Sequence, residues 1–300
     1  MSPRNTELLQ FKRKSNILGF YYIFLNYVMI ALLALSTLLL YSILSITFFI
    51  PIYLVISIIL ASSWRRFEIL VHEASHNNVF KTKSFNRKFE FLFSYPVFLD
   101  VNTYCMLHGQ HHRLIGDFNS DPDLLIYEKW GLHDLPNNKR WVMIIRPLSL
   151  YFSLEFFKVT FKNFWVKKKK RINKVIFWML IVTCIALTNS WSQVGLIYGI
   201  PFFVVLPILR FYARANEHTG VDFSDNELNA RNNLGLFNRY VLHPYGDAYH
   251  QIHHLYPNIP FYNLSTAHKY LVNKKNKVFL DSHSIYETWV STLRGSMSNK

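Results

Sequence analysis

The stretch of sequence that decides the fold is SNILGFYYIFLNYVMIALLALSTLLLYSILSITFFIPIYLVISIILASSW, residues 15–64, which contains no Asp, Glu, Lys or Arg. A surface helix of a soluble protein carries charge on one face, so this stretch does not fit that class. Because roughly 20 helical residues cross a bilayer core about 30 Å thick, it has room for two crossings. We predict transmembrane helices at Ile17–Leu38 and Ile43–Ser63.

A second stretch without charge, residues 175–209, predicts another pair of crossings. We place them at Ile172–Leu187 and Val194–Tyr212, on either side of the polar segment Thr188–Gln193. The composition agrees, since 51% of the 300 residues are apolar and 17% are aromatic, which is rich for a soluble chain. The sequence therefore predicts an all-α integral membrane protein with four transmembrane helices, forming a single domain over residues 1–300.

The positions of Lys and Arg predict the orientation in the membrane. They are concentrated at the N-terminus, in the middle section with its Lys167–Arg171 run, and in the tail from Arg210 onward. Short segments rich in these residues stay in the cytoplasm, so both termini and a helical cap, residues 65–171 and 213–300, are predicted there. The net charge of +15 could also indicate nucleic-acid binding, but basic residues beside apolar spans are typical of contact with membrane lipids. We therefore expect no nucleic-acid partner.

Two further apolar stretches lie within the predicted cap, at Phe89–Leu107 and Trp141–Phe161. The second contains Arg146 and Glu155, and charges are costly at the centre of a bilayer. We predict that both stretches are interfacial or re-entrant helices. Two cysteines, Cys105 and Cys184, give no disulfide framework and are expected to be packing residues.

Eight histidines form three clusters in the cap. The clusters are His72-Glu-Ala-Ser-His76, His108-Gly-Gln-His111-His112 and His250-Gln-Ile-His253-His254. Residues three and four apart share a helix face, so each cluster forms a chelating edge. Imidazole suits zinc, copper, iron and nickel, and eight histidines exceed what one ion uses. Two ions with open positions fit oxygen activation by iron, whereas a zinc hydrolase stays open because residues 72–76 match the metalloprotease pattern His-Glu-x-x-His.

The three clusters, their order around two helix pairs, and the following Leu255-Tyr-Pro-Asn-Ile-Pro260 resemble the membrane fatty acid desaturase superfamily, which includes hydroxylases. The resemblance covers about Arg65 to Tyr270, and Tyr249–Pro257 is its most specific part. Members often supply a further histidine just after the last span, where this chain has His218. The resemblance implies that two iron ions are held by His72, His76, His108, His111, His112, His218, His250, His253 and His254.

Four acidic residues are candidates for contacts with these histidines: Glu73, Asp121, Asp123 and Glu217. Asp121 or Asp123 could accept a proton from a ligand histidine, or could simply form a turn. Their segment also imitates a calcium loop, but Pro122 stands where such a loop needs glycine, so we treat that match as accidental. No catalytic residue beyond the metal ligands is predicted, and four histidines are not expected to be ligands: His133, His243, His268 and His283.

The resemblance implies an oxidoreductase that uses dioxygen to attack an unactivated C–H bond. Removal of two hydrogens from a fatty-acyl or lipid-like chain gives desaturation, and hydroxylation or another C–H oxidation is the alternative. A histidine-rich metal transporter or sensor is a distant third function, which would be expected to place polar ligands inside its spans. The chain shows no Rieske or fused haem motif, so we expect a separate ferredoxin-like or cytochrome electron donor. The predicted location is a bacterial cytoplasmic membrane, with the endoplasmic reticulum as the alternative.

Overall fold

The computed structural model describes residues 7–132, 142–166, 170–225 and 227–294. Helices account for most of these residues. The α-helices are α1 (Asn16–Ile43), α2 (Ile46–Ser75), α3 (Phe85–Lys88), α4 (Val101–Leu114), α5 (Pro122–Trp130), α6 (Val142–Leu148), α7 (Leu150–Trp165), α8 (Arg171–Thr188), α9 (Trp191–Val194), α10 (Leu206–His218), α11 (His250–Leu255), α12 (Phe261–Lys275) and α13 (Ile285–Arg294). Two short strands, β1 (Asn232–Asn233) and β2 (Asp281–Ser282), pair in parallel.

Several single-turn helices connect these elements. The 3₁₀ turns are Glu7–Lys12, Glu90–Leu92, Tyr95–Val97 and Asp247–Tyr249. The π-helical segments are Gly195–Gly199, Pro201–Val205 and Asn238–Leu242. The first two π-helical segments join α9 to α10, so residues 191–218 run as one helical rod.

Four helical rods in the described part of the chain are long and apolar enough to cross a membrane. They are Asn16–Ile43, Ile46–Ser75, Arg171–Thr188 and Trp191–His218. Tight turns join them into two antiparallel pairs, and large apolar side chains such as Leu35 and Leu187 lie exposed on their surfaces, as lipid-facing side chains do. The prediction of an all-α membrane protein with four spanning helices is confirmed.

Two of these rods are longer than predicted. α2 continues past Ser63 to Ser75, and α10 ends at His218 instead of Tyr212. From Leu60 to Ser75 every residue of α2 except Arg66 is buried, because the cap packs around it after the apolar stretch ends. His72 and His218 therefore stand on the last turns of these rods, beyond the predicted spans.

The predicted helix Phe89–Leu107 does not exist as one element. Its first half forms two 3₁₀ turns, and Phe98 takes a left-handed conformation with φ of 52° before α4 begins at Val101. Pro96 cannot donate a backbone hydrogen bond, which disfavours a continuous helix here. Asp100 then starts α4 as its N-cap, accepting the Thr103 N–H at 2.9 Å.

The predicted helix Trp141–Phe161 is also divided in its described part. α6 ends at Leu148 directly after Pro147, and α7 starts anew at Leu150. Ser149 caps α7 by accepting the Phe152 N–H at 3.2 Å.

A buried ion pair fastens the cap to the second pair of spanning helices. Lys174 Nζ on α8 lies 2.7 Å from Asp100 Oδ2, and neither side chain is exposed. Since Asp100 also caps α4, this contact sets the position of the helix that carries His108, His111 and His112.

The first 3₁₀ turn, Glu7–Lys12, lies against the cap. Asn263 Nδ2 on α12 donates to the Phe11 carbonyl at 2.9 Å, so the first turn packs against the cap.

Candidate metal centre

Four helix segments bring their histidines together beneath the spanning helices. The end of α2 carries His72 with His76 directly after it, α4 carries the second cluster, α10 ends at His218, and α11 carries the third cluster. Within each cluster the spacing of three or four residues places the imidazoles on one helical face. All nine histidines expected to be ligands therefore lie in one buried region.

Five of these histidines form the first group. Their ligand nitrogens all lie within 4.8 Å of one another; the members are His72, His76, His108, His112 and His253. The closest approaches are 2.8 Å between His72 Nε2 and His108 Nε2, and 2.9 Å between His108 Nε2 and His112 Nε2. All three clusters thus contribute to this group.

The other four histidines form a second group beside the first. His111, His218 and His254 place ligand nitrogens within 4.8 Å of one another. His250 Nε2 lies 3.0 Å from both His218 Nε2 and His254 Nε2. The rings of His112 and His254 stack with their centroids 4.5 Å apart, so the two groups are neighbours.

The chemistry of these nitrogens fits metal ions. Two nitrogens bound at right angles to one ion by bonds of about 2.1 Å are about 3.0 Å apart, close to the spacings found here. His76 Nε2, His111 Nε2 and both ring nitrogens of His253 are buried and accept or donate no hydrogen bond to any described residue. Buried polar atoms normally have a partner, so nitrogens without one fit the role of metal ligands.

Burial also keeps most of the imidazoles in the neutral form that binds metals. It lowers the pKa of His76 to about 2 and the pKa of His112 to about 3. Burial likewise lowers the pKa of His108, His253 and His254 well below the ordinary value.

Hydrogen bonds on the far side of two rings fix their orientation. His111 Nδ1 donates to Asp121, whose two carboxylate oxygens are each 3.0 Å away. His218 Nδ1 donates to the Asn229 carbonyl at 2.8 Å. In both rings Nε2 is then free to face the second group of histidines. Hydrogen bonds from Nδ1 commonly orient metal-binding histidines in this way. The pKa of His111 is shifted in the opposite direction from those of the other histidines in the two groups. Burial opposes its charge, but Asp123 and Asp121 raise its pKa.

The remaining three acidic residues take different places. Glu73 Oε1 lies 3.7 Å from His253 Nδ1, while its other oxygen accepts the Phe261 N–H at 3.0 Å. Asp123 pairs with Arg214 at 3.1 Å instead of contacting a histidine. Glu217 joins Asp247 and His250 in a third group of close ligand atoms.

A buried network around Asp247 was missed in the sequence analysis. Asp247 Oδ2 accepts hydrogen bonds from Arg65 Nη2 at 2.9 Å and from His243 Nδ1 at 3.0 Å, and its Oδ1 lies 3.9 Å from His72 Nδ1. Burial opposes the charge of Asp247, but His243 and Arg65 hold its pKa well below the usual range. Arg65 is 1% exposed, so this basic residue serves the buried network. The spacing of His243 and Asp247, four residues apart, was the available signal.

Other residues singled out in the sequence have structural roles or lie outside the described residues. Asp117 accepts the Asn119 N–H at 3.0 Å, as in a turn. His268 is buried against Asp281 at 2.8 Å, and His283 is exposed. Cys184 is exposed, so the expected packing role is wrong for it, whereas Cys105 is half-buried. His133 and Lys167–Lys169 are outside the described residues.

Fold and site together define a helical membrane protein with a histidine-rich centre suited to metal binding. The profile of the family described as "Fatty acid desaturase" matches residues 45–279. The chain therefore belongs to the fatty acid desaturase family, as the resemblance predicted. It is also 26% identical over 275 residues to a protein of Bradyrhizobium elkanii named "Dihydrorhizobitoxine desaturase", covering 86% of this chain and 76% of that protein. These findings assign the chain to the desaturase-like oxidoreductases.

Proposed function

We propose that the protein is a dioxygen-dependent desaturase with two iron ions, which oxidises a saturated carbon–carbon bond of an acyl or lipid-like substrate. The observation that carries this proposal is the pair of neighbouring histidine groups. Four close histidines suit one ion and five suit a second. Imidazole ligands without cysteine fit iron that keeps open positions for substrate chemistry.

The overall reaction balances as CH₂–CH₂ + O₂ + 2 electrons + 2 protons → CH=CH + 2 H₂O. When bound, the two ions supply the activation of dioxygen and the removal of hydrogen. We expect the electrons to come from a separate ferredoxin-like or cytochrome donor.

The surrounding residues hold this site in place. Asp121 and the Asn229 carbonyl fix His111 and His218 in one tautomer and one orientation. Arg65 neutralises Asp247 beneath His72, so that a carboxylate can be buried beside the imidazoles. Burial of His108, His111 and His253 keeps bulk water away from the reacting atoms.

We place the site on the cytoplasmic side of the membrane. α2 and the 191–218 rod both end there, and residues 7–12 pack against the cap, so the described ends share one side. The basic flanking segments favour the cytoplasm for that side. The expected membrane is the bacterial cytoplasmic membrane, with the endoplasmic reticulum as the alternative.

The test combines metal analysis with product analysis. Detergent-purified protein should contain about two irons per chain, and cells that express it should form a product two mass units lighter than its substrate. His253→Ala should abolish the product, while His283→Ala, which changes an exposed histidine, should not. A product sixteen mass units heavier would assign hydroxylation instead, and zinc alone in active protein would refute the proposal.

A further inference from the structure

A cavity opens beside the histidine groups, between α4, α5, α7 and α10. Its volume is about 310 Å³. A smaller space of about 30 Å³ lies among the histidines themselves. The two are lined in common by Glu68, Tyr104, His108, Asp123, Arg210 and Arg214. A molecule in the larger cavity therefore has one end against the metal centre.

The larger cavity has both apolar and charged walls. Its volume of about 310 Å³ lies at the lower end of the range for small-molecule sites, roughly 300–1,000 Å³. Ile126, Trp130 and Phe156 provide apolar contacts, whereas Lys129 and Glu155 form an ion pair across its lining. A bulky carrier such as coenzyme A exceeds this space.

Two half-buried arginines in this lining have buried Nε–H groups without a hydrogen-bond acceptor. The side chain of Arg210 is 13% exposed, and its nearest carboxylate oxygen, Glu68 Oε2, is 3.6 Å away, beyond hydrogen-bond distance. No described residue accepts a hydrogen bond from Arg210 Nε or from Arg214 Nε. A guanidinium group carries five donors, and buried donors normally have acceptors. These two Nε–H groups therefore have no acceptor among the described residues, although the carboxylates of Glu68 and Asp123 lie near the two guanidinium groups.

We propose that this cavity binds a short substrate with a free carboxylate, and that Arg210 is its main partner with Arg214 beside it. The planar guanidinium matches the two oxygens of a carboxylate, which a neutral amide or an ester does not offer. The apolar walls then hold the aliphatic part. Because Arg210 also lines the smaller space among the histidines, the oxidised bond lies only a few bonds from the carboxylate. This inference rests on the proposed function and names the class of substrate for the same site.

Binding measurements on the iron-loaded protein in detergent test the inference without requiring turnover. Hexanoate has eight non-hydrogen atoms and should bind, whereas hexanamide should bind at least tenfold more weakly. Palmitoyl-coenzyme A should not displace hexanoate. Arg210→Gln should raise the Kd for hexanoate about tenfold to a hundredfold, and Arg210→Lys should recover only part of the loss. Glu68 keeps Arg65 as a partner at 3.5 Å, so Arg210→Gln leaves no carboxylate unpaired.

Arg239→Gln is the matched control, because Arg239 lines a different cavity and pairs with aromatic rings. It should leave the Kd for hexanoate unchanged. Equal binding of hexanoate and hexanamide, an unchanged Kd in Arg210→Gln, or displacement by palmitoyl-coenzyme A would each overturn the inference. Iron content and the product analysis of His253→Ala test the proposed function. A failure of the substrate inference can therefore be distinguished from a failure of the proposed function.

Discussion

The contact between Asp121 and His111 allows a sharp test of the metal centre. Asp121 is fully buried, and both of its oxygens lie 3.0 Å from His111 Nδ1. Asp121→Asn keeps the size of the side chain and an oxygen that can cap α5, where Asp121 now accepts the Asp123 N–H at 2.9 Å. The variant removes the negative charge that orients and polarises the imidazole.

The expected effect is on metal binding and not on folding. Loss of a partner that orients a metal ligand lowers metal affinity or activity about tenfold to a hundredfold, which is about 1.4 to 2.8 kcal/mol. Asn and Asp are similar as N-caps, so the change in unfolding free energy at the start of α5 should stay below about 0.5 kcal/mol.

The assay is an anaerobic titration of metal-free protein with Fe²⁺ against a competing chelator, together with thermal unfolding. Asp117→Asn is the control, because Asp117 caps a turn in the same segment and does not contact a histidine. Iron affinity in Asp121→Asn within twofold of the unaltered protein would refute the reasoning. So would an equal loss in Asp117→Asn, because the effect would then not pass through His111.

Three further predictions concern folding. Asp100→Ala leaves Lys174 buried without its partner and should cost about 3 to 5 kcal/mol in unfolding free energy, with part recovered when Lys174→Met is added; a loss under 1 kcal/mol would contradict this. Burial opposes the charge of Asp100, but hydrogen bonds from Lys174 and the Thr103 N–H lower its pKa. The stabilisation by the ion pair should therefore be complete above the ordinary pKa of an aspartate and should be lost as the pH falls through the lowered pKa of Asp100. Gly246 has φ of 77° and leaves only 2.4 Å between an added Cβ and the Phe261 carbonyl, so Gly246→Ala should lower both the melting temperature and the iron content, and an unchanged melting temperature would be inconsistent with the close packing. Removal of iron by a chelator should lower the melting temperature. The loss in unfolding free energy should be about 2.7 kcal/mol for each ion whose free concentration had been 100 times its Kd, and equal melting with and without iron would argue against a metal held by the folded state.

The sequence predicted what depends on local pattern and not what depends on contacts between distant residues. Long stretches without charge indicate spanning helices directly, and spacings of three and four residues indicate shared helix faces. The continuation of α2 past Ser63 could not be predicted, because its second half packs against residues far along the chain, such as Asp247 beside Arg65. The break before α4 has local signals in Pro96 and in the N-cap Asp100, whereas the pairing of Asp100 with Lys174 on another helix has none. Charge alone likewise cannot distinguish a lipid-facing cation from a buried one such as Arg65.

The placement of the histidines ties metal binding to the assembly of the whole fold. His72 and His218 stand at the ends of two of the four candidate spanning rods, whereas the histidines of α4 and α11 belong to helices outside these rods. Without metal, buried imidazoles from four segments face one another with unpaired nitrogens, which disfavours close packing. Each ion would replace those unfavourable contacts with bonds between the spanning rods and the cap, and such binding energy becomes folding energy. The expected effect of a chelator is therefore loosening of α4 and α11 against rods that stay helical, because the rods are held by their own apolar surfaces.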